Sequence, residues 1–179
     1  RQKLIKNKII VEKFNIIITN NSFLPFYFTF KEKNYNNFIK SLAETGDRYA
    51  MNIYALTIFN TNKKLAIEYL QKAADMGNKI AMFNYGYFIY DNIIFHPNKN
   101  KEALKYLKKS AELGQSESMF LYGLMLYRGE GTIENVKDAA YYFKKSADLG
   151  NEQSMYYYAY LRSLDYSKCN GFRKNLTES

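Results

Sequence analysis

The residues that could do chemistry in this chain are few and far apart. The 179-residue sequence contains one His, His96, and one Cys, Cys169. A Cys/His metal site needs several such residues close together, so no such cluster can form within the chain. Gly129-Glu130-Gly131 is a lone Gly-x-Gly, without the further Gly and the preceding strand that nucleotide binding needs. We therefore predict no enzyme activity, catalytic residue, cofactor or metal, and interpret His96, which precedes a Pro, as a turn residue.

A basic group on one predicted helix could serve an acidic partner or a phosphate. It consists of Lys101, Lys105, Lys108 and Lys109. Glu102 and Glu112 interleave with these lysines, and the outer helices of repeat arrays are normally charged. We interpret the group as a solvated outer face, and a basic patch is the alternative.

Aromatic residues form a third group, recurring at helical spacing in three segments. The stripe holds Phe83, Tyr87, Tyr90, Phe120, Leu124, Tyr127, Tyr156 and Tyr160. Residues three or four apart share one helix face. A stripe with few charges can anchor a peptide or helix laid in a groove, so we predict that these residues bind a partner. The alternative is that part of the stripe packs in the core.

The segments that must position these residues form a repeat in the sequence. The ending Ala111-Glu112-Leu113-Gly114 returns 36 residues later at Gly150, and a similar ending at Gly77 precedes Gly114 by 37 residues. A degraded copy ends at Gly46. This period predicts a repeat array in which each unit buries its apolar face on its neighbours. Each glycine follows a helix end, where a left-handed conformation lets the chain reverse.

Two types of helix alternate in the predicted array. First-type helices follow a glycine, at residues 47–59, 79–90, 116–127 and 152–162. Second-type helices end at a glycine, at residues 66–76, 103–113 and 139–149, with a degraded one at 34–43. Apolar residues recur at spacings of three and four, as in amphipathic helices, so the chain is predicted to be all-α.

Small and large residues recur at fixed distances after each glycine. Four and nine residues on, they are small: Ala50, Ala81, Ser118, Ser154, Ala55, Gly86, Gly123 and Ala159. Five and eight residues on, they are large: Met51, Met82, Met119, Met155, Tyr54, Tyr85, Tyr122 and Tyr158. Small residues let helices approach closely, so we predict that these positions form the buried seam between helices.

With these features the chain resembles the Sel1-like repeat proteins, relatives of the tetratricopeptide repeats. The best match is residues 118–150, where Tyr122-Gly123 matches the Leu-Gly of the family and Gly129-Glu130-Gly131 its Gly-x-Gly connection. Tyr142-Phe143 matches its Trp-Tyr pair, and Ser146-Ala147 to Gly150 its Ala-Ala-x-x-Gly ending. The Gly-x-Gly connection is missing after Phe59 and after Tyr90, so those loops depart from the family.

The resemblance implies a right-handed α-solenoid of antiparallel helix pairs whose first helices line the concave surface. It covers residues 34–162, as three repeats with partial ones at both ends. We predict an irregular leader or capping segment at residues 1–33 and a tail at 163–179. No uninterrupted apolar run approaches the ~18 residues of a spanning helix. A single Cys and the lack of a clear signal peptide favour the cytoplasm.

The implied function is that of a protein-interaction adaptor or scaffold, holding a peptide or helix of a partner in the aromatic groove. One alternative is the regulatory repeat region of a larger signalling enzyme, such as a kinase. The other is a helical-repeat nucleic-acid-binding protein, which the net charge of +9 and the many aromatic residues suggest. A protein or peptide partner is favoured over nucleic acid, because nearly half of the excess positive charge lies in residues 1–13, outside the repeat array.

Overall fold

Eight α-helices follow one another in the computed structural model, which describes residues 32–168, with side chains at 35–164. They are α1 (Glu32–Glu44), α2 (Arg48–Ile58), α3 (Lys63–Asp75), α4 (Lys79–Tyr90), α5 (Lys99–Glu112), α6 (Ser116–Arg128), α7 (Val136–Asp148) and α8 (Glu152–Lys168). No strand occurs between residues 32 and 168, so the predicted all-α class is confirmed there. Residues 1–31 of the predicted leader and 169–179 of the predicted tail lie outside the described residues.

The helices fall into two units. Unit 1 ends at Ile94 and contains α1 to α4; unit 2 begins at Phe95 and contains α5 to α8. Within each unit, every helix packs against the next one along the chain. The core of unit 1 centres on Ile39, Leu70 and Ile89, and that of unit 2 on Leu107, Met125 and Phe143.

A glycine turn precedes every first-type helix. Gly46, Gly77, Gly114 and Gly150 have φ between +83° and +91°, where a Cβ is disfavoured. At Gly77 the backbone amide donates to the carbonyl of Ala74 at 3.0 Å, and the next amide donates to the carbonyl of Ala73 at 3.1 Å. The same bond pair closes the other three turns, which are therefore Schellman motifs. The predicted turn role of these glycines is confirmed.

The residue after the glycine begins the next helix. The carboxylate of Asp47 accepts from the amides of Tyr49 and Ala50, both at 2.9 Å. Asn78 caps α4 in the same way, through the amides of Ile80 and Ala81. A side-chain oxygen at this position satisfies helix donors that have no partner within the helix. First-type helices therefore start within one residue of the predicted positions.

Second-type helices begin three or four residues earlier than predicted, so those three starts were wrong. The apolar pattern begins at the alanines, but α3 and α7 each begin with a mostly exposed turn after Asn62 and Asn135. The Asn62 side chain accepts from the amide of Leu65 at 3.2 Å, and the Asn135 side chain from that of Asp138 at 3.0 Å. An exposed helical turn carries no hydrophobic signal, which is why periodicity missed it.

The predicted seam is buried except in the last described helix. Seam methionines Met51, Met82 and Met119 are each 7% exposed, and Ser118 and Ser154 are fully buried. A β-carbon on Gly123 would meet the ring of Phe143, so α6 and α7 approach closely at that point. In α8, however, Met155 is 47% exposed and Ala159 is also exposed. The seam prediction was wrong for these two residues, because no described helix covers that side of α8.

The Gly-x-Gly connection of unit 2 folds against the start of α5. Gly129 ends α6 in the left-handed conformation, with φ of +67°. A β-carbon on Gly131 would lie 2.5 Å from the carbonyl oxygen of Asn100, closer than any side chain could sit. Glycine at residue 131 is therefore required by this backbone approach as well as by its φ of +77°. The connection has a structural role.

Candidate functional site

The predicted binding residues divide between the two units. Phe83, Tyr87 and Tyr90 lie on α4 of unit 1, and the other five lie on α6 and α8 of unit 2. Their exposure decides which side chains a partner could touch.

In unit 1 the predicted binding residues Phe83, Tyr87 and Tyr90 are half-buried. The rings of Phe83 and Tyr87 stack, with centroids 6.0 Å apart and planes 11° apart. The Tyr87 hydroxyl donates to the carboxylate of Asp91 at 3.5 Å. Burial raises the pKa of Tyr87 above its usual value, and the charge and hydrogen bond of Asp91 raise it further. The face thus offers two parallel rings, one of them tethered to the end of the helix.

Two asparagines lie between the first-type helices of unit 1, and no sequence pattern singled them out. The Asn84 side-chain nitrogen donates to the side-chain oxygen of Asn52 at 3.0 Å. Asn52 is fully buried, and its side-chain nitrogen has no hydrogen-bond partner among the described residues. Asn84 is half-buried, so its amide can reach a ligand. The pair places polar groups on a mostly apolar unit.

In unit 2, Phe120 and Leu124 are part of the core. They are 9% and 7% exposed, respectively. The Phe120 ring lies 6.0 Å from that of Phe143 on α7 and 5.7 Å from that of Tyr157 on α8. Since α6 contacts both α5 and α7, and its Phe120 also meets a ring of α8, little of its surface remains open. The prediction that Phe120 and Leu124 contact a partner was therefore wrong, because both side chains are buried.

The remaining three residues of unit 2 surround a fourth aromatic ring, that of Tyr157. Tyr156 is 68% exposed, Tyr160 is 41% exposed, and Tyr127 is half-buried. Tyr157 lies between them and the core, with its ring 5.2 Å from Phe143, 5.7 Å from Tyr156 and 6.5 Å from Tyr127. We call Tyr127, Tyr156, Tyr157 and Tyr160 the tyrosine face of unit 2.

Tyr127 on α6 and Tyr160 on α8 lie near each other, one on each of the two helices that form this face. Burial raises the pKa of Tyr127, and the neighbouring Tyr160 and the charge of Glu134 raise it further. The raised pKa favours the uncharged form of Tyr127, and a face made of tyrosines is amphipathic.

Two members of the lysine group of α5 are paired on their own helix. Lys105 lies 3.1 Å from Glu102, and Lys108 lies 3.9 Å from Glu112. The Lys105 ammonium also lies 4.7 Å from the ring centroid of Tyr106. These pairs are exposed and contribute little to stability. They do reduce the positive potential, as the interpretation of a solvated outer face requires.

The described residues include few side chains that could act as nucleophiles or metal ligands. His96 lies in the loop before α5, where its Nδ1 accepts from the amide of Asn98 at 3.2 Å, in keeping with a turn residue. Residues 32–168 contain no group of three or more His, Cys, Asp or Glu placed to hold a metal ion. Over the same range, no helix has the length and apolar character needed to cross a bilayer.

Comparison with known proteins gives one family and one fold. A model of the Sel1 repeat matches residues 58–78, 79–115 and 116–151. A solved structure of a Sel1 repeat protein from Oxalobacter formigenes superposes with a TM-score of 0.64 at 21% identity, covering 68% of this chain and 94% of that one. No curated protein matches the sequence.

Two further solved structures share the fold. One is c5321, a protective antigen of uropathogenic Escherichia coli strains with an SLR fold, at a TM-score of 0.62 and 23% identity; the match covers 74% of this chain and 29% of that one. The other is Helicobacter pylori cysteine rich protein B, at a TM-score of 0.55 and 22% identity, covering 71% of this chain and 92% of that one. At such identities the likeness concerns the fold, and it confirms the predicted helical-repeat solenoid.

Proposed function

Because this chain belongs to the Sel1 repeat family, whose members are generally protein-interaction modules, we propose that it binds a peptide or helix of a partner protein on the tyrosine face of unit 2. The observation that carries this proposal is the exposure of Tyr156 and Tyr160 beside a ring anchored in the core. Isolated exposed apolar residues are common, but a contiguous aromatic cluster marks an interaction surface.

The chemistry of the tyrosine face suits a protein ligand. Tyrosine presents a large flat ring with a hydroxyl at its rim and loses little conformational entropy on binding. Tyr156 stands at 89° to Tyr157, so the two rings offer an edge and a face to an incoming side chain. The hydroxyl groups can meanwhile exchange hydrogen bonds with a peptide backbone.

The face is also held in place before a ligand arrives. Tyr157 packs on Phe143, which is fully buried, and its ring also lies 6.5 Å from that of Tyr127 on α6. A surface that is already ordered costs less entropy when it binds. The core beneath the face therefore contributes to affinity without touching the partner.

Unit 1 supplies a second, smaller surface of the same kind. Stacked Phe83 and Tyr87 provide apolar contact, and the Asn84 amide provides a hydrogen-bonding group. A few polar groups on a mostly apolar surface fix the orientation of a ligand. We include these three residues in the proposal as contacts for a partner that engages unit 1.

The two alternative functions fare differently. A regulatory role within a larger enzyme needs the same kind of interaction surface and stays a prediction. Nucleic-acid binding has no supporting observation among the described residues, where two of the lysines that could contact phosphates are paired with Glu102 and Glu112. We therefore do not propose it.

Peptide display tests the proposal directly. Peptides selected on the immobilised chain would be measured by fluorescence anisotropy against the parent and the double variant Tyr156→Ala/Tyr160→Ala. We expect affinity to fall by at least about tenfold, as truncation of aromatic anchors typically costs more than ~1.4 kcal/mol. Both side chains are exposed, so helical content measured by circular dichroism should not change.

The matched control is Tyr141→Ala on α7. Tyr141 is 52% exposed and also packs edge to face on a neighbouring tyrosine, but it lies outside the tyrosine face. Peptide affinity should be unchanged in this variant. Equal binding by the parent and the double variant, or an equal loss in the Tyr141→Ala control, would remove the tyrosine face as the site.

A further inference from the structure

We infer that α8 carries a second docking surface, one that takes an amphipathic helix supplied by a partner protein. This surface consists of Met155, Tyr158, Ala159 and Arg162, and we call it the α8 seam face. It is distinct from the tyrosine face and goes beyond the proposed function.

Residues at equivalent positions in the other repeats show which kind of helix packs against such a face. Tyr158 stands eight residues after its glycine, like Tyr54 on α2 and Tyr122 on α6. In unit 1, α3 covers α2, and the rings of Tyr54 and Tyr69 meet edge to face at 5.2 Å. In unit 2, α7 covers α6, and Tyr122 meets Tyr142 in the same way at 4.8 Å. The interface between a first-type and a second-type helix is thus seen twice with the same aromatic pair.

Helix α8 presents the first-type side of this interface, but no described second-type helix packs against it. Its other side is packed, since Ser154 and Leu161 are buried. Met155, however, is 47% exposed, although Met51 and Met119 at the same register position are 7% exposed. Ala159, at the position of Gly123, is exposed as well. The described residues therefore leave open a face whose complement is already defined within the molecule.

The complement has a recognisable sequence. The covering helices carry Ala66 and Tyr69-Leu70 in α3, and Ala139 and Tyr142-Phe143 in α7, so both read Ala-x-x-Tyr followed by a large apolar residue. The alanine is fully buried in each helix, as is the apolar residue. Neither residues 1–31 nor residues 169–179 contain Ala, so these two segments do not carry the pattern. The occupant to which we commit is a partner helix of this pattern.

Charge adds a second requirement. Arg162 stands where α6 has the buried Leu126, and its guanidinium lies 6.0 Å from the ring centroid of Tyr158. In unit 2, Asp138 of the covering helix lies close enough to act electrostatically on both Tyr122 and Tyr142. A helix docked on α8 in the same register would bring the equivalent carboxylate towards Tyr158 and Arg162. We therefore expect an acidic residue immediately before the alanine of the partner helix.

A peptide with the sequence of residues 135–151 contains every one of these features and serves as the probe. Fluorescein-labelled peptide would be titrated with the full chain and followed by anisotropy. We expect saturable binding that weakens by at least about tenfold in Ala159→Leu, because a large side chain blocks the close approach of helices. A peptide carrying Asp138→Lys should also bind more weakly to the parent chain.

Two controls separate this proposal from the tyrosine face and from misfolding. Tyr156→Ala/Tyr160→Ala should bind the probe as the parent does, whatever happens to the display-selected peptides. Ala159 is exposed, so Ala159→Leu should keep the circular dichroism spectrum and unfolding midpoint of the parent.

Three outcomes would overturn the inference. The first is no saturable binding of the probe, and the second is equal binding by the parent and Ala159→Leu. The third is self-association of the parent chain in sedimentation that Ala159→Leu abolishes, because the occupant would then be a second copy.

Discussion

A β-carbon on Gly123 would lie 3.0 Å from Cε1 of Phe143. It would also lie 3.4 Å from the carbonyl oxygen of Ala139, so backbone as well as side chain limits the space. Phe143 is fully buried and cannot swing into solvent without leaving the core. The absence of a side chain at residue 123 therefore allows α6 and α7 to pack at their short spacing.

Gly123→Leu is expected to destabilise the protein by ~1–3 kcal/mol or more, because overpacking drives two helices apart. Urea unfolding followed by circular dichroism measures the change. The matched control is Ala159→Leu, which occupies the same register position on an exposed face and should leave the unfolding midpoint unchanged. A midpoint for Gly123→Leu within error of the parent would contradict the close approach.

Phe120→Ala and Tyr156→Ala should have opposite signatures. The first removes a buried ring that packs on Phe143 and Tyr157, and losses of this kind cost ~3–5 kcal/mol. The second removes an exposed ring and should change stability by less than ~0.5 kcal/mol. Denaturant titrations of both variants check the prediction. Comparable losses in the two variants would mean that burial has been assigned to the wrong residue.

Asn78→Ala should cost more than Asn62→Ala, although both remove a helix cap. The Asn78 side chain accepts from two amides of α4 and also donates to the carbonyl of Arg48 on α2 at 3.0 Å. Asn62 accepts from one amide and is exposed. We expect a loss of ~2–3 kcal/mol for Asn78→Ala and ~0.5–1 kcal/mol for Asn62→Ala in urea unfolding. The reverse order would contradict the bridging role of Asn78.

Ser110 and Ser118 should be coupled. Their hydroxyl oxygens lie 2.6 Å apart, and both side chains are fully buried. Replacing either serine with Ala removes this one hydrogen bond from the other, whereas replacing both removes the shared bond from each side. A double-mutant cycle should give a coupling energy of ~0.5–1.5 kcal/mol, with the double variant more stable than the sum of the single losses implies. Strict additivity would show that the bond does not contribute.

Alkaline pH should destabilise unit 2 through Tyr122. Burial raises the pKa of Tyr122 above its ordinary value of 10.0, and Tyr142, Asp138 and Glu112 raise it further. The folded state therefore favours the neutral phenol, and the stability gained is full below about pH 10 and is lost as pH rises through the folded pKa. Urea unfolding at about pH 9 and about pH 11 should show a smaller decline in Tyr122→Phe than in the parent. An identical decline would exclude Tyr122 as a contributor.

The architecture could be predicted because the sequence repeat marks where helices end and where they pack closely. A glycine just past a helix end separates one helix from the next, so the starts of the first-type helices were predicted to within one residue. Glycine at residue 123 likewise predicts a close approach of two helices, which the position of Phe143 on α7 confirms. These features are local in sequence or repeat at a fixed period, and either property makes them visible without coordinates.

The binding surface was harder to predict, for a physical reason. Phe120 and Leu124 share a helical face with Tyr127, but neighbours on α7 and α8 cover that face unevenly along its length. Tyr157 was overlooked because it stands seven residues after Gly150, between the two faces that the sequence distinguishes, and the equivalent residues Ile53, Asn84 and Leu121 are not aromatic. Which part of a stripe is covered depends on helix packing, and spacing within one helix does not report it.

Tyr157 touches the buried ring of Phe143 on one side and the exposed ring of Tyr156 on the other. A ligand seated on Tyr156 would therefore stiffen a ring on which the interior of unit 2 rests. Occupancy should raise the melting temperature in proportion to the logarithm of ligand concentration above the dissociation constant. A thermal-shift screen of a peptide library could thus reveal a ligand through the stability of the protein alone.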